Sequence, residues 1–200
     1  MSIKIALLGS SGVGKTCIIK RYTENIFDPD SASTPGASYS QKYLKDKNVN
    51  LDLWDTAGQE QYRSLVVHFY KDAFIVCLVY DITNQQSFQE LKDFWYKNLK
   101  EYGEKYTIVA IVGNKSDCYE NEEVKEEEAR KYAEEIKASF FLVSAKNGNN
   151  INLLFDSLVT QYLEPEFTEK IRESIAEKGN ISKLQVENNK NEKKKKKGCC

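Results

Sequence analysis

The chain has 200 residues, 40% hydrophobic and 30% charged, which is typical of one globular domain of ordinary size. No run approaches the ~18 consecutive apolar residues that cross a bilayer, and the N-terminal residues lack the apolar stretch of a secretion signal. The formal net charge of −1 gives no overall attraction to nucleic acid, so we expect no such partner.

The hydrophobic pattern predicts strands that alternate with helices. Helices are predicted to start at Lys15 and to cover 87–102, 125–136 and 151–163, and strands to cover 3–8, 41–46, 49–54, 74–80, 107–112 and 140–143. The segments 41–46 and 49–54 form a predicted hairpin, and the other strands are nearly continuous apolar runs, as in a parallel sheet buried on both faces. We therefore predict an α/β fold: a mostly parallel six-stranded sheet with one antiparallel edge strand and helices on both faces.

The composition changes after Pro165. From Glu166 to Cys200 there are ten Lys and Arg against six Glu, a net charge of +4, and few β-branched or aromatic residues. Such a segment buries too little apolar surface to offset the entropy of ordering it. We predict a domain over 1–165 and a flexible tail over 166–200, with a polybasic run at 193–197.

The cysteines indicate a reducing compartment. None of the five has the C-x-x-C spacing of a zinc or redox site, and with no secretion signal we expect the cytosol. We expect Cys17 and Cys77 to be small buried apolar residues.

A glycine-rich motif follows the first predicted strand. The residues 9–16 (GSSGVGKT) match G-x-x-x-x-G-K-[ST] between a strand and a helix. The glycines let backbone N–H groups surround a phosphate, and the helix N-terminus adds about half a positive charge. We expect Lys15 to reach the terminal phosphates and Thr16 to ligate magnesium. The motif predicts a nucleoside triphosphate but leaves kinase, ATPase and GTPase open.

Two later motifs favour guanine. Asp117, in 114–117 (NKSD), offers a carboxylate that accepts hydrogen bonds from both N1–H and the exocyclic amine of guanine, a pair that adenine lacks. The segment 144–146 (SAK) follows the next strand, and its backbone N–H groups can donate to guanine O6.

A further motif, 55–60 (DTAGQE), follows the second strand of the hairpin. Asp55 at that strand end suits magnesium coordination through water. Gly58 offers an N–H to a γ-phosphate and has no side chain to obstruct a rearrangement.

These motifs, in this order, resemble those of the Ras superfamily of small GTPases over roughly residues 3–163. The resemblance implies the P-loop GTPase fold, magnesium as cofactor, and GTP hydrolysis to GDP that is slow without an activating protein. Catalysis would involve Lys15, Thr34 and Gln59, the last orienting the attacking water, and magnesium would be held by Thr16, Thr34 and Asp55. The implied nucleotide contacts are Ser11, Gly12, Val13, Gly14, Lys15, Thr16, Cys17, Phe27, Thr34, Gly58, Asn114, Lys115, Asp117, Ser144, Ala145 and Lys146.

Within that superfamily the chain is similar to Rab proteins. The similarity rests on 54–65 (WDTAGQEQYRSL), 80–84 (YDITN) followed by Ser87-Phe88, and the final cysteine pair; the segment 33–37 is most similar to endosomal Rabs. It implies a GTP-binding switch that recruits effectors in vesicle trafficking. The expected location is the cytoplasmic face of endosomal or other vesicular membranes, cycling with the cytosol.

The Rab resemblance also implies partners. They are an exchange factor, a GTPase-activating protein, a GDP-dissociation inhibitor and effectors, which bind the chain as a monomer. Tyr39, Trp54 and Phe69 occupy the positions of the Rab hydrophobic triad that effectors contact. The chain ends on Cys200, so the C-a-a-X pattern is absent, and Cys199 with Cys200 resembles the signal for two geranylgeranyl groups.

Some residues depart from the Rab pattern. Pro35 stands where Rabs usually carry isoleucine, and it removes a backbone donor beside Thr34. Asp72 stands where Rabs usually carry glycine, and Ser11 stands where Ras has glycine but Rabs often have serine. His68 is expected to be a surface residue.

Two other functions compete with that of a regulatory GTPase. A metabolic P-loop kinase would need an acceptor site and a lid, for which no insertion is evident. A non-hydrolysing scaffold is disfavoured by Gln59 and slightly favoured by Pro35.

Overall fold

The computed structural model of this chain describes residues 1–29, 34, 36–56, 67, 69–169 and 171. They form two compact units, one over Met1–Thr160 and one that begins at Gln161. The strands are β1 (Ser2–Leu8), β2 (Ala37–Leu44), β3 (Val49–Thr56), β4 (Ile75–Asp81), β5 (Ile108–Asn114) and β6 (Ser139–Leu142). The helices are α1 (Lys15–Glu24), α2 (Gln85–Glu90), a π-helical stretch (Leu91–Tyr96), α3 (Lys97–Tyr102), a 3₁₀ helix (Ser116–Asn121), α4 (Glu126–Glu135) and α5 (Ile151–Leu163).

In the described part of the chain, the six strands form one sheet in the order β2-β3-β1-β4-β5-β6. The pair β2–β3 is antiparallel, and every other pair is parallel. The predicted α/β architecture with one antiparallel edge strand is therefore confirmed. The strand order places the carboxyl ends of β1, β4 and β5 side by side at one edge of the sheet, where ligands of such folds bind.

The bounds of β2 differ from the prediction. The hairpin was expected to start at residue 41, but β2 covers Ala37–Leu44 and the turn occupies 45–48. An edge strand has one solvent-facing side and few buried residues, so the polar residues 37–42 carry little apolar alternation. The start of β2 is set instead by its pairing with β3, in which Ala37 lies opposite Thr56.

The sheet is covered on both faces, as the apolar strands predict. Ala6 and Leu8 of β1 belong to a core that includes Phe88 of α2 and Ala129 of α4. On the other face, Tyr22 of α1 stacks on Phe155 of α5, with ring centroids 3.9 Å apart. Strand side chains alternate between faces, so runs such as 75–81 are buried throughout.

One helix predicted over 87–102 begins instead at Gln85 and changes geometry in its middle. The side chain of Asn84 accepts a hydrogen bond from the Ser87 N–H and caps its start. Leu91, Trp95 and Leu99 are all buried at a spacing of four residues. Because an α-helix turns every ~3.6 residues, this spacing drifts around its surface, and the wider π-helical turn keeps the three side chains on one face.

Asp72, which stands where Rabs usually carry glycine, has a backbone conformation that suits glycine. Asp72 has φ +61°, in the left-handed region. Aspartate is one of the few other residues that tolerate that region, which accounts for its presence.

The division predicted at residue 165 stays a prediction. Residues 165–169 are helical, and the Tyr162 ring packs edge-on against Phe167 with centroids 5.8 Å apart. The expected tail therefore begins with a helical turn, and its polybasic run and cysteines lie outside the described residues. Within the described ranges, no helix has the length and apolar character needed to span a membrane.

Phe155 and Leu153 provide a stability test on one helix. Phe155 is fully buried, whereas Leu153 is 55% exposed. We expect Phe155→Ala to lower the free energy of unfolding by about 3–5 kcal/mol, because it opens a cavity against Tyr22. Leu153→Ala should change it by less than about 0.5 kcal/mol. Urea unfolding followed by circular dichroism measures both, and similar values would contradict the placement of α5.

Candidate functional site

A cavity of about 470 Å³ opens at the carboxyl ends of the parallel strands. It is bordered by the loop after β1, the start of α1 and the segments that follow β5 and β6. Most residues predicted for the site line it: Ser11, Gly12, Gly14, Lys15, Thr16, Cys17, Phe27, Thr34, Asn114, Lys115, Asp117, Ala145 and Lys146. The lining also includes residues that were not predicted as contacts: Asp28, Pro29, Thr56 and Cys118.

One end of the cavity concentrates positive potential. The Lys15 amine donates to the carbonyl oxygens of Gly9 at 2.7 Å and Ser10 at 2.8 Å, which aims it along the loop. Burial lowers the pKa of Lys15 to about 8, an effect that the charge of Asp55 opposes. The ten-residue helix α1 begins at this lysine, so its N-terminal N–H groups face the same end. An anion bound here would relieve the cost of burying the ammonium group.

Two hydroxyls and a carboxylate meet beside this lysine. The Thr16 hydroxyl donates to Asp55 Oδ2 at 2.6 Å and lies 2.8 Å from the Thr34 hydroxyl. Thr34 also donates to Asp55 Oδ2, at 3.1 Å. Asp55 is 2% exposed, and its Oδ1 has no hydrogen-bond partner among the described residues. Oxygen ligands with an unsatisfied buried carboxylate oxygen fit a hard cation such as Mg²⁺.

Asn114 connects three loops around the cavity. Its Nδ2 donates to the Val13 carbonyl at 2.8 Å, and its Oδ1 accepts from the Ala145 N–H at 3.1 Å. Asn114 is 2% exposed, so both bonds are shielded from water. Gly14 lies against this side chain: a Cβ at Gly14 would come 2.3 Å from Asn114 Nδ2, and its φ is +94°.

The opposite end presents a carboxylate. Asp117 Oδ1 accepts from the Ser144 hydroxyl at 2.5 Å, and Lys146 lies 3.8 Å from its Oδ2. Burial alone would raise the pKa of Asp117, but the hydrogen bonds, led by that from Ser144, lower it below its ordinary value. The group is therefore ionised at neutral pH and accepts hydrogen bonds.

The side chain of Lys115 lines this end of the cavity. Lys115 has φ +67°, and its amine forms an ion pair with Asp81 at 2.5 Å. Asp81 is 7% exposed and also accepts from Thr83. The pair holds the lysine stem, a flat apolar surface, against the cavity wall.

Three residues predicted for the site do not line the cavity themselves but bond to residues that do. Val13 and Ser144 act through the hydrogen bonds to Asn114 and Asp117, and Asp55 acts through the two threonines. Gly58 and Gln59, together with Pro35 and His68, lie outside the described residues. Cys77 is fully buried as predicted, whereas Cys17 is only half-buried and lines the cavity, because it follows the threonine that faces it.

Sequence reasoning missed Arg21 and Asp81. Arg21, in the last turn of α1, donates to the carbonyl oxygens of Ala145 and Lys146. Asp81 is the partner of Lys115. Neither contact has a local signal, because each joins segments more than 30 residues apart. Asp28 and Pro29 could have been found from their position directly after Phe27.

Three aromatic rings adjoin one another on β2, on β3 and at residue 69. The Tyr39 and Trp54 ring centroids are 5.3 Å apart, and those of Trp54 and Phe69 are 5.9 Å apart. Tyr39 is 49% exposed, and its hydroxyl donates to Asp52 at 2.7 Å. The Lys4 amine lies 5.1 Å from the centre of the Trp54 ring. We call Tyr39, Trp54 and Phe69 the aromatic patch.

Comparisons with known proteins give a consistent result. The Ras family model matches residues 4–164. The Ras-related protein Rab-22A of Homo sapiens is 43% identical over 155 residues, covering 76% of this chain and 79% of that protein. RabC of Dictyostelium discoideum is 40% identical over 160 residues (78% and 81%). RABA1b of Arabidopsis thaliana is 37% identical over 204 aligned positions (98% and 93%).

The close approach of Gly14 to Asn114 predicts an energetic coupling. We expect Gly14→Ala to lower the free energy of unfolding by about 1–2 kcal/mol through its left-handed backbone and by about 1–3 kcal/mol more through the overlap with Asn114. In the Asn114→Ala background the overlap is gone, so the same change should cost at least about 1 kcal/mol less. A double-mutant cycle by urea unfolding measures the difference, and additive effects would contradict the contact.

Proposed function

Because the chain belongs to the Ras family and, within it, to the Rab GTPases, it is a GTP-dependent switch in vesicle trafficking, and we propose the residues that perform each step. The chain binds GTP and GDP and hydrolyses the former to the latter. Membership in this family leaves no support for a metabolic kinase or a non-hydrolysing scaffold. The single observation that carries the residue assignments is one cavity with a buried lysine at one end and an ionised carboxylate at the other.

We assign the guanine base to the end at Asp117. The lowered pKa of this carboxylate supports a permanent acceptor for N1–H and the exocyclic amine of guanine. Phe27 and the stem of Lys115 would pack against the ring, and the backbone N–H of Lys146 would donate to O6, because that of Ala145 already donates to Asn114 Oδ1. Ser11, Gly12 and Cys17 also line the cavity and would lie along the path to the phosphates.

We assign the β- and γ-phosphates to Lys15 and the start of α1. Thr16 and Thr34 would hold a magnesium ion, with Asp55 behind them, as the unsatisfied Oδ1 supports. The ion would neutralise charge on the β- and γ-phosphate oxygens. Lys15 binds the same oxygens with a charge that α1 reinforces, and Gly58 would donate its N–H to the γ-phosphate.

Hydrolysis is proposed to be slow without a partner. Gln59 would orient the attacking water, as the resemblance implies. The first switch region, 24–42, contains no arginine that could act from within the chain. An arginine supplied by an activating protein is worth roughly 10³–10⁵ in rate. Loss of the γ-phosphate would free Thr34 and Gly58, which is the proposed basis of the change in shape. Pro35, beside Thr34, would alter how the first switch closes.

We propose that effectors read the aromatic patch in the GTP state. Tyr39 and Trp54 of the patch lie on β2 and β3, and Trp54 directly precedes Asp55, a proposed magnesium ligand. The half-exposed Tyr39 ring offers apolar area that is already fixed by its bond to Asp52, which reduces the entropy lost on binding. The exchange factor, the activating protein, the GDP-dissociation inhibitor and the monomeric state are proposed from the family alone.

We propose that the tail attaches the switch to the cytoplasmic face of vesicular membranes, endosomal ones included. Cys199 and Cys200 would carry two geranylgeranyl groups, and Lys193–Lys197 would add attraction to an anionic leaflet of ~1 kcal/mol per lysine. One lipid chain gives only marginal binding, so two chains suit stable attachment.

Asp117→Asn tests the base assignment. The amide replaces an acceptor with a donor, so we expect GDP affinity to fall by roughly 100-fold or more while affinity for xanthosine diphosphate rises. Competition against a fluorescent GDP measures both. Asp156→Asn, the same change at an exposed site on α5, should leave the preference unchanged. A variant at 117 that retains its GDP affinity would show that the base lies elsewhere.

Alanine variants test whether the aromatic patch binds effectors, with an exposed tyrosine outside the patch as the control. Some proteins should be captured by the GTP-loaded chain but not by the GDP-loaded chain. We expect Tyr39→Ala and Trp54→Ala each to weaken the binding of these proteins by about tenfold or more. Tyr43→Ala, on the same strand and 52% exposed, should not. GDP dissociation rates serve as the control for folding. Equal loss of nucleotide and partner binding would assign the rings to packing alone.

Removing Cys199 and Cys200 tests the anchor. We expect nucleotide binding to be unchanged, because the cavity lies in residues 11–146, and membrane association in cells to be lost. Replacement of Lys193–Lys197 by glutamine, with the cysteines intact, should weaken the association only partly. If membrane association survives removal of the cysteines, the lipid anchor is wrong, and raised salt then shows whether the lysines suffice.

A further inference from the structure

We propose that Arg21 is a positioning residue for guanine recognition: from the end of α1 it fixes the orientation of the peptide group that donates to guanine O6. This inference rests on the proposed base assignment. Its basis is a set of contacts between α1 and the loop after β6 that no motif indicates.

The guanidinium group of Arg21 bonds to two segments at once. Its Nε donates to the Ala145 carbonyl at 2.8 Å, and its Nη2 donates to the Lys146 carbonyl at 2.7 Å. Its Nη1 donates to the backbone carbonyl of Asn25 at 2.9 Å and to the Asn25 side chain at 3.1 Å. A planar group with fixed donor directions holds such acceptors in one geometry, which a flexible ammonium group does not.

Peptide geometry transmits these contacts across the loop. The Ala145 carbonyl and the Lys146 N–H belong to one planar trans peptide group, so they point in opposite directions. When Arg21 binds the carbonyl from the α1 side, the Lys146 N–H is directed to the other side of the loop. Ala145 and Lys146 line the cavity, whereas Arg21 does not. Arg21 therefore aims a donor at the base without touching it.

The rest of the loop supports one fixed peptide orientation. The Ala145 N–H donates to Asn114 Oδ1, and the Asn147 N–H donates to the Ser144 hydroxyl at 3.2 Å. These bonds set the peptide groups on either side of the Ala145–Lys146 unit. In the Ala145–Lys146 peptide group itself, the Ala145 carbonyl accepts its hydrogen bond from Arg21.

The helix that carries Arg21 also carries the phosphate ligands. Arg21 follows Lys15 by six residues, or about 9 Å along the helix axis. One rigid element thus sets the distance between the phosphate end and the O6 donor. A nucleotide of the right length with an acceptor at position 6 satisfies both ends together.

A purely structural role for Arg21 makes a different prediction. A cation in the last turn of a helix stabilises that end, and the bonds to Asn25 close the turn after α1. If this were the whole role, replacing Arg21 would lower stability and weaken every nucleotide alike. The two roles separate when nucleotides with and without O6 are compared.

The experiment measures affinities of the full chain with magnesium for three diphosphates. GDP and inosine diphosphate carry O6, and the diphosphate of 2-aminopurine riboside does not. We expect Arg21→Met to weaken GDP and inosine diphosphate by about tenfold, as for one lost hydrogen bond, and the 2-aminopurine compound by less than about twofold. Lys20→Met, the same change of charge one residue earlier on α1, should leave all three within about twofold.

Arg21→Lys keeps the charge at the helix end but lacks the planar fork. It should show the same selective loss for the two O6 compounds, and it remains informative if the methionine variant is unstable. The inference is overturned if the wild-type chain prefers GDP over the 2-aminopurine compound and both Arg21 variants retain that ratio. If the wild-type chain shows no such preference, or Asp117→Asn leaves GDP affinity intact, the base assignment itself is wrong.

Discussion

The site depends on a buried amide that joins segments far apart in the sequence. Asn114 ends β5, and its side chain bonds to the loop after β1 on one side and to the loop after β6 on the other. An amide side chain carries both a donor and an acceptor, so it can donate to a carbonyl and accept from an N–H at the same time. Because these groups are shielded from water, losing the amide would leave two buried backbone groups unpaired. The absence of a side chain at Gly14 follows from the same contact, since that space is occupied by the amide.

The cavity also has an electrostatic direction. Lys15 and the N-terminus of α1 make one end positive, whereas Asp117 makes the other end an ionised acceptor. A ligand with several negative charges at one end and N–H donors at the other is favoured in only one orientation. Buried charges are costly, so each has a partner: Lys15 binds two carbonyls, and Asp81 binds Lys115. The polarity of the site is therefore a property of the chain's own residues.

Much of this arrangement was predictable because its chemistry is local. The motifs at 9–16 and 114–117 require particular side chains at fixed spacing beside a strand, and most of their residues line the cavity. The buried strands were found from their apolar runs, although their ends shifted by a residue or two. Features set by distant contacts were not predictable. The start of β2 depends on pairing with β3, the π-helical stretch depends on Leu91, Trp95 and Leu99 sharing a core, and Arg21 depends on a loop more than 100 residues away. The roles of Gln59, Cys199 and Cys200 concern residues that the structure does not describe.

The edge strand β2 carries a lysine that points inward, and this has a consequence for crowding. The Lys42 amine lies 3.7 Å from the centre of the Tyr22 ring and also bonds to the Tyr22 carbonyl. Burial lowers its pKa, but the nearby charge of Asp156 favours the charged form. A second sheet that added a strand to β2 would have to cover this ammonium group, and that cost opposes sheet extension. Proteins gathered on a vesicle surface meet one another far more often than in dilute solution. At such a density, a charged edge would oppose pairing between the sheets of neighbouring copies.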